Sequence, residues 1–267
     1  MAEREGMSYR GQLDDCRDRL RAVVSGSGGA HAAAMICEAK LLRATLVFAS
    51  GSPLGAFPST LLPAAVSIEL LHLASLVHDD IIDEATERRG VPALHVTAGS
   101  DRALVVGDLL IVSAFDAIGE LREAVPAEIF AGCFETLSKG AQLCCFGQLE
   151  ELYPRNGVLS EGHYLDVAAK KTGSLFSVAA SLGALVAGAG GEERAALAAL
   201  GTQLGVAYQI RDDLRDGAER SGRAGDGGRF SPTSVTYDRA VDAVRGALGR
   251  VPSSCGNALQ TLVEGML

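Results

Sequence analysis

Tryptophan is absent from this 267-residue sequence, and only 5% of its residues are aromatic. A core assembled from aromatic pairs, as in many β-sandwiches, is therefore disfavoured. Lysine is nearly absent too, occurring only at Lys40, Lys139, Lys170 and Lys171. Arginine and lysine together number 24 against 33 aspartates and glutamates, a net charge of −9, with no basic tract. That balance excludes nucleic acid as a partner, because affinity for it rests on neutralising phosphates. The six cysteines form no CxxC or other zinc-like spacing, and Cys144 and Cys145 are adjacent. They read as small buried hydrophobes in a reducing compartment, which implies a cytoplasmic protein. The first ten residues hold no apolar signal core. Strand-like alternation is scarce.

What remains is helical. Hydrophobic residues make up 48% of the chain, enough for a substantial core. Apolar spacing of three and four predicts helices at about 9–25, 31–49, 60–84, 101–120, 126–153, 160–172, 174–189, 191–216, 235–249 and 254–266. No repeat or linker divides them, so residues 1–267 read as a single helical domain. Residues 44–68 are apolar but carry Pro53, Pro58 and Pro63, so no single helix spans them. Residues 172–191 are long enough to cross a membrane but rich in small residues, and read as a buried core helix. No transmembrane span is therefore expected. Residues 217–234 hold five glycines and three arginines. They read either as an inert surface loop or as a mobile lid.

Two carboxylate clusters stand out. In LVHDDIID, Asp79 and Asp83 lie four apart and share one helix face, with Asp80 between them. Like charges at that spacing repel, and they sit at the end of the helix that its dipole makes negative. A divalent cation offsets both penalties, and hard oxygen donors select Mg²⁺, which also takes substrate phosphate oxygens. The pattern recurs in QIRDDLRD, where Asp212 and Asp216 lie four apart with Asp213 between them. Two copies, each closing an apolar helix, suggest a Mg²⁺–diphosphate cluster clamped between facing helices. Diphosphate also calls for protein cations. Arg88 and Arg89 follow the first cluster and either serve phosphate or offset Glu84 and Glu87 at the surface. His78 reads as either a core-edge histidine or a reactive one.

In this order, HLASLVHDDIIDEATERRGVPALH, VVGDLL, GQLEE, KKTGSLF and YQIRDDLRD resemble successive motifs of the trans-type isoprenyl (polyprenyl) diphosphate synthases. The likeness runs from about residue 38 to 233. It implies an all-α isoprenoid-synthase-type bundle around a deep central apolar cavity, as a homodimer. It implies condensation of an allylic prenyl diphosphate with isopentenyl diphosphate. Three Mg²⁺ ions would be held by Asp79, Asp83, Asp212 and Asp216, with Asp80 and Asp213 in support. The allylic diphosphate would be held by Arg88, Lys171, Thr172, Gln209 and Arg223. Isopentenyl diphosphate would be held by Lys40, Arg43, His72 and Arg89. Residues 217–234 would form the lid.

The family's GGKRxRP motif stands here as Glu38-Ala39-Lys40-Leu41-Leu42-Arg43-Ala44, which keeps two of its cations. The segment beyond Pro232 is also short for the family. The growing chain would run down the helix that ends in Asp79, past Ala74 and Ser75 one turn earlier. Both are small, which implies a product of C20 or longer. The rival functions are a class I terpene cyclase, a non-catalytic partner subunit, and a prenyltransferase with an unusual acceptor.

Overall fold

A computed structural model describes residues 9–25, 40–88, 90–153, 160–220 and 231–267, without the side chains of 216–220. The described residues are almost entirely helical. The helices are α1 (Arg10–Ser25), α2 (Leu42–Gly51), α3 (Pro58–Ile82), α4 (Leu94–Ala98), α5 (Ser100–Gly119), α6 (Ala127–Leu152), α7 (Glu161–Ala168), α8 (Ser174–Val186), α9 (Gly191–Arg220), α10 (Ser234–Leu248) and α11 (Ser253–Met266). A π turn, Ala169–Gly173, joins α7 to α8. The strands β1 (Glu87–Arg88) and β2 (Val91–Pro92) form a small antiparallel hairpin.

Two helices are buried nearly all round, as the central members of a bundle must be. In α8 every residue except Ser177 and Ser181 is buried. In α3 the buried set runs from Leu61 through Val77 to Asp80. This helix is long and apolar enough to cross a membrane by composition, yet most of its apolar window is covered by its neighbours. α3 packs on α5, while α8 is enclosed by α2, α6 and α9. Small residues permit this crowding. A methyl at Gly183 would lie 2.3 Å from the Val47 carbonyl oxygen, so α2 and α8 touch backbone to backbone. The outer helices bury one stripe each: α1 buries Cys16, Leu20 and Val24, and α11 buries Cys255, Leu259, Val263 and Met266. α10 starts at a capping box made by Thr233 and Thr236.

Most of the expected helices are present, with boundaries displaced by a few residues. One expectation needs correcting. The helix anticipated at 31–49 has its described part starting only at Leu42, because Leu41 adopts a left-handed conformation, φ 50° and ψ 41°. Lys40 therefore stands outside the helix and does not share a helical face with Arg43. Neither the hairpin nor the five-residue α4 follows from periodicity, since both are too short to show one. Residues 26–39, 89 and 221–230 lie outside the described residues.

Candidate active site

The C-terminal end of α3 carries the first cluster. Asp83 is its C-cap residue, and its N–H donates to the Asp79 carbonyl at 2.8 Å. Asp79 and Asp83 thus keep helical register and the shared face that their spacing predicts. Asp80 turns the other way and is 1% exposed. Glu84 then takes a left-handed φ of 50°, and the chain reverses through the hairpin. This reversal returns Arg88 onto Asp80, where Nε donates to Oδ1 at 2.8 Å and a second guanidinium nitrogen donates to the same oxygen. Arg88 is therefore not a continuation of the helix. It offsets neither Glu84 nor Glu87 but a buried aspartate.

His78 sits on the opposite wall of α3. Its Nε2 lies 3.2 Å from the Leu104 carbonyl and 3.7 Å from an Asp108 oxygen. A methyl at Gly107 would fall 2.1 Å from that same nitrogen. The glycine of VVGDLL thus makes room for an imidazole that joins α3 to α5, the core-edge reading of His78.

The π turn supplies the cations. A methyl at Gly147 of α6 would lie 2.4 Å from the Lys171 backbone nitrogen, so glycine alone lets α6 reach the turn. That approach lines up two carboxylates with two lysines. Lys170 Nζ lies 2.8 and 3.0 Å from the Glu150 oxygens and 2.6 Å from Asp166. Lys171 Nζ lies 2.7 Å from Glu151 Oε2 and 3.5 Å from Asp79 Oδ1. A π turn carries one extra residue per turn, and such insertions recur at functional sites. Here it points the very next residue, Thr172, to the other side.

Thr172 Oγ1 donates to Gln209 Oε1 at 2.7 Å, and Gln209 Nε2 donates to Asp213 Oδ1 at 2.8 Å. The phenol of Tyr164 donates to the other Asp213 oxygen. Asp212, beside it, has Arg211 3.5 Å away, and that guanidinium lies 4.7 Å over the Tyr208 ring. The two aspartate clusters are thus tied to consecutive residues of one turn, the first to Lys171 and the second to Thr172.

Charge is unevenly shared across this centre. Burial raises the Asp79 pKa, and Asp83 and Glu151 push it further, against the pull of Lys171. Burial alone would depress Lys171, but Asp79, Glu151 and Asp83 together outweigh it and its pKa is raised. The lysine therefore stays charged while its aspartate partner is crowded by other carboxylates. Burial likewise raises Asp212, despite Arg211, Arg215 and Lys40 nearby. Two carboxylates whose burial works against their charge suit an added cation, and their oxygens are the hard donors that Mg²⁺ or Ca²⁺ takes. Among the described residues no three His, Cys, Asp or Glu side chains come together as a ready cage. Mg²⁺ commonly binds in this way, through one or two carboxylates with the remainder from water and substrate phosphate.

The remaining candidates are more scattered. Lys40 is exposed and acts on Asp212 through space. Arg43 is buried, with its guanidinium 4.4 Å over the Phe176 ring. Burial pushes the Cys144 thiol up to about 11, and Arg43, Asp79 and Lys171 all act on it, so Arg43 approaches the site from within the core. His72 is half-buried on α3, and its carbonyl accepts from Ser75 Oγ at 2.7 Å. Ala74 is 1% exposed. Arg89, Arg223 and the Asp216 side chain lie outside the described residues, as does most of the 217–234 segment. Glu151 and Tyr164 belong to the centre although their types and spacing gave no cue. The GQLEE motif did contain Glu151, and the pairing with Lys171 gives that motif its purpose.

A family model described as polyprenyl synthetase matches residues 30–228. The geranylgeranyl diphosphate synthase of Methanosarcina mazei is 36% identical over 178 residues, 66% of this chain and 54% of that protein. The matched segment thus spans about half the relative's length. A geranylgeranyl pyrophosphate synthase structure from Lactobacillus brevis superposes with a TM-score of 0.83 at 22% identity, covering 99% of this chain and 98% of that one. A polyprenyl synthase from Caulobacter crescentus, solved with calcium and isoprenyl diphosphate, superposes at 0.73 with 23% identity, over 96% and 92% of the two chains. At these identities the two structures establish the shared all-α fold. A family match that runs through both aspartate clusters and the π turn between them means that the chain belongs to the polyprenyl synthetase family.

Proposed function

We propose that this protein condenses an allylic prenyl diphosphate with isopentenyl diphosphate, head to tail and trans, giving a polyprenyl diphosphate of C20 or longer. One observation carries the reading: the two aspartate clusters reach adjacent residues of a single turn, Asp79 facing Lys171 directly and Asp213 linked to Thr172 through Gln209. A lone acidic cluster needs no such joint, whereas a diphosphate held between two does. The geranylgeranyl diphosphate synthase of M. mazei supports the product length, and Ala74 and Ser75 leave the upper chain path open.

Asp79, Asp83 and Asp212 would hold Mg²⁺, with Asp216, and three ions are proposed. When bound, Mg²⁺ supplies positive charge to the diphosphate and so makes it a better leaving group. Lys171 adds a fixed ammonium at the same place, and Thr172, Gln209, Arg88 and Arg223 orient the allylic diphosphate. The allylic C–O bond breaks, leaving an allylic cation. The isopentenyl double bond attacks it, and the released diphosphate takes the proton. Lys40, His72 and Arg89 hold isopentenyl diphosphate, while Arg43 contributes its charge from the interior. Charge development beside preorganised cations is where such sites gain most of their rate. The 217–234 segment serves as the lid that keeps water from the cation.

The protein acts as a homodimer in this reading. Leu104, Val105, Leu109 and Val112 of α5 and Phe134, Phe146 and Leu149 of α6 are exposed apolar residues. The Phe115–Phe134 ring contact, 5.5 Å between centroids, joins the two helices. Exposed apolar side chains on adjoining helices support that reading. The function is tested by incubating purified protein with Mg²⁺, farnesyl diphosphate and labelled isopentenyl diphosphate. Label in a longer prenyl diphosphate is expected. Unlabelled hydrocarbon would instead identify a cyclase.

A further inference from the structure

Two side chains converge on Asp213, one from α7 and one from its own helix α9. Tyr164, from the eight-residue helix α7, donates to Oδ2, and Gln209 Nε2 donates to Oδ1 at 2.8 Å. Gln209 in turn accepts from Thr172 Oγ1 at 2.7 Å. The run Thr172–Gln209–Asp213–Tyr164 has a defined polarity. The carboxylate can only accept, so the amide must present its nitrogen to Asp213 and its oxygen to Thr172. The Tyr164 phenol, whose partner is an acceptor-only carboxylate, donates to it. Both Asp213 oxygens are therefore engaged by protein donors. The neighbouring Asp212 carboxylate has only Arg211, 3.5 Å away, as a described hydrogen-bond donor.

We propose that Tyr164 is a positioning residue that, through Asp213 and Gln209, fixes the Thr172 side chain and with it the π turn that carries Lys171. This rests on the prenyl-transfer reading, since it is that reading which places the allylic diphosphate at this turn. Asp213 then differs in kind from Asp212: it is an anchor for the turn rather than a ligand for the ion. Hydrogen bonds to a charged acceptor are the stronger ones, so loss of the phenol should loosen the whole run.

Tyr164→Phe removes one oxygen and keeps the ring, and calorimetry with farnesyl diphosphate and Mg²⁺ reads the result. Binding is expected to weaken about tenfold, with circular dichroism and the half-saturating Mg²⁺ concentration unchanged. Thr172→Val is expected to weaken binding as well. The double variant should bind no worse than the weaker single one, because both changes cut the same run. Additive losses would overturn the proposal. So would unchanged binding in Tyr164→Phe, or a shift confined to the Mg²⁺ requirement, which would make Asp213 an ion ligand. A wild type that binds no farnesyl diphosphate would overturn the prenyl-transfer reading along with it.

Discussion

Lys171 Nζ stands between two carboxylates, 2.7 Å from Glu151 Oε2 and 3.5 Å from Asp79 Oδ1. The closer partner comes from α6 and the farther from α3, so one ammonium joins two helices at the mouth of the first cluster. Lys171→Met removes that charge and leaves Asp79 and Glu151 unopposed. The allylic kcat/KM should fall by roughly 10²–10³-fold. Glu151→Gln only loosens the lysine and should cost about tenfold. Steady-state kinetics with farnesyl diphosphate separate the two.

Gly147 sets the distance over which this joint forms. A methyl there would meet the Lys171 nitrogen at 2.4 Å and its Cα at 2.8 Å, and backbone cannot rotate away. Gly147→Ala should destabilise by about 2 kcal/mol and lower the thermal midpoint by roughly 4–8 °C. A scan by circular dichroism checks it.

The Asp80–Arg88 pair is asymmetric. Side-chain exposure is 2% for the aspartate and 29% for the arginine. Arg88→Met strands a buried carboxylate and should cost about 3 kcal/mol of stability. Asp80→Asn leaves an arginine that reaches water and should cost less. Urea denaturation of both variants, read as the difference in midpoint, tests the order.

How much of this was visible in advance depends on sequence separation. Asp79 and Asp83 were legible because helical spacing alone puts them on one face. The Arg88–Asp80 pair was not, because a left-handed Glu84 and a two-residue hairpin reverse the chain and neither has a period to detect. Tyr164 and Asp213 are 49 residues apart and meet only through packing. The apolar pattern continues through Lys40 and predicts a helix there, but Leu41 adopts a left-handed conformation with no glycine to announce it. The KKTG stretch reads as a motif, but nothing in four residues distinguishes a π turn from an α turn.

Ala74 is buried one turn and a residue before Asp79. Ala74→Phe should shorten the product by at least one five-carbon unit, as read by chromatography of the dephosphorylated alcohols. A product of unchanged length would mean that the chain runs along another helix.

Asp79 is the carboxylate on which the proposed diphosphate site at the first cluster most depends. Its most direct test is the rate of labelled isopentenyl diphosphate incorporation by Asp79→Ala relative to wild type, at saturating Mg²⁺. Loss of at least about a hundredfold, with unchanged circular dichroism, is expected. A near-normal rate in that variant would contradict the assignment.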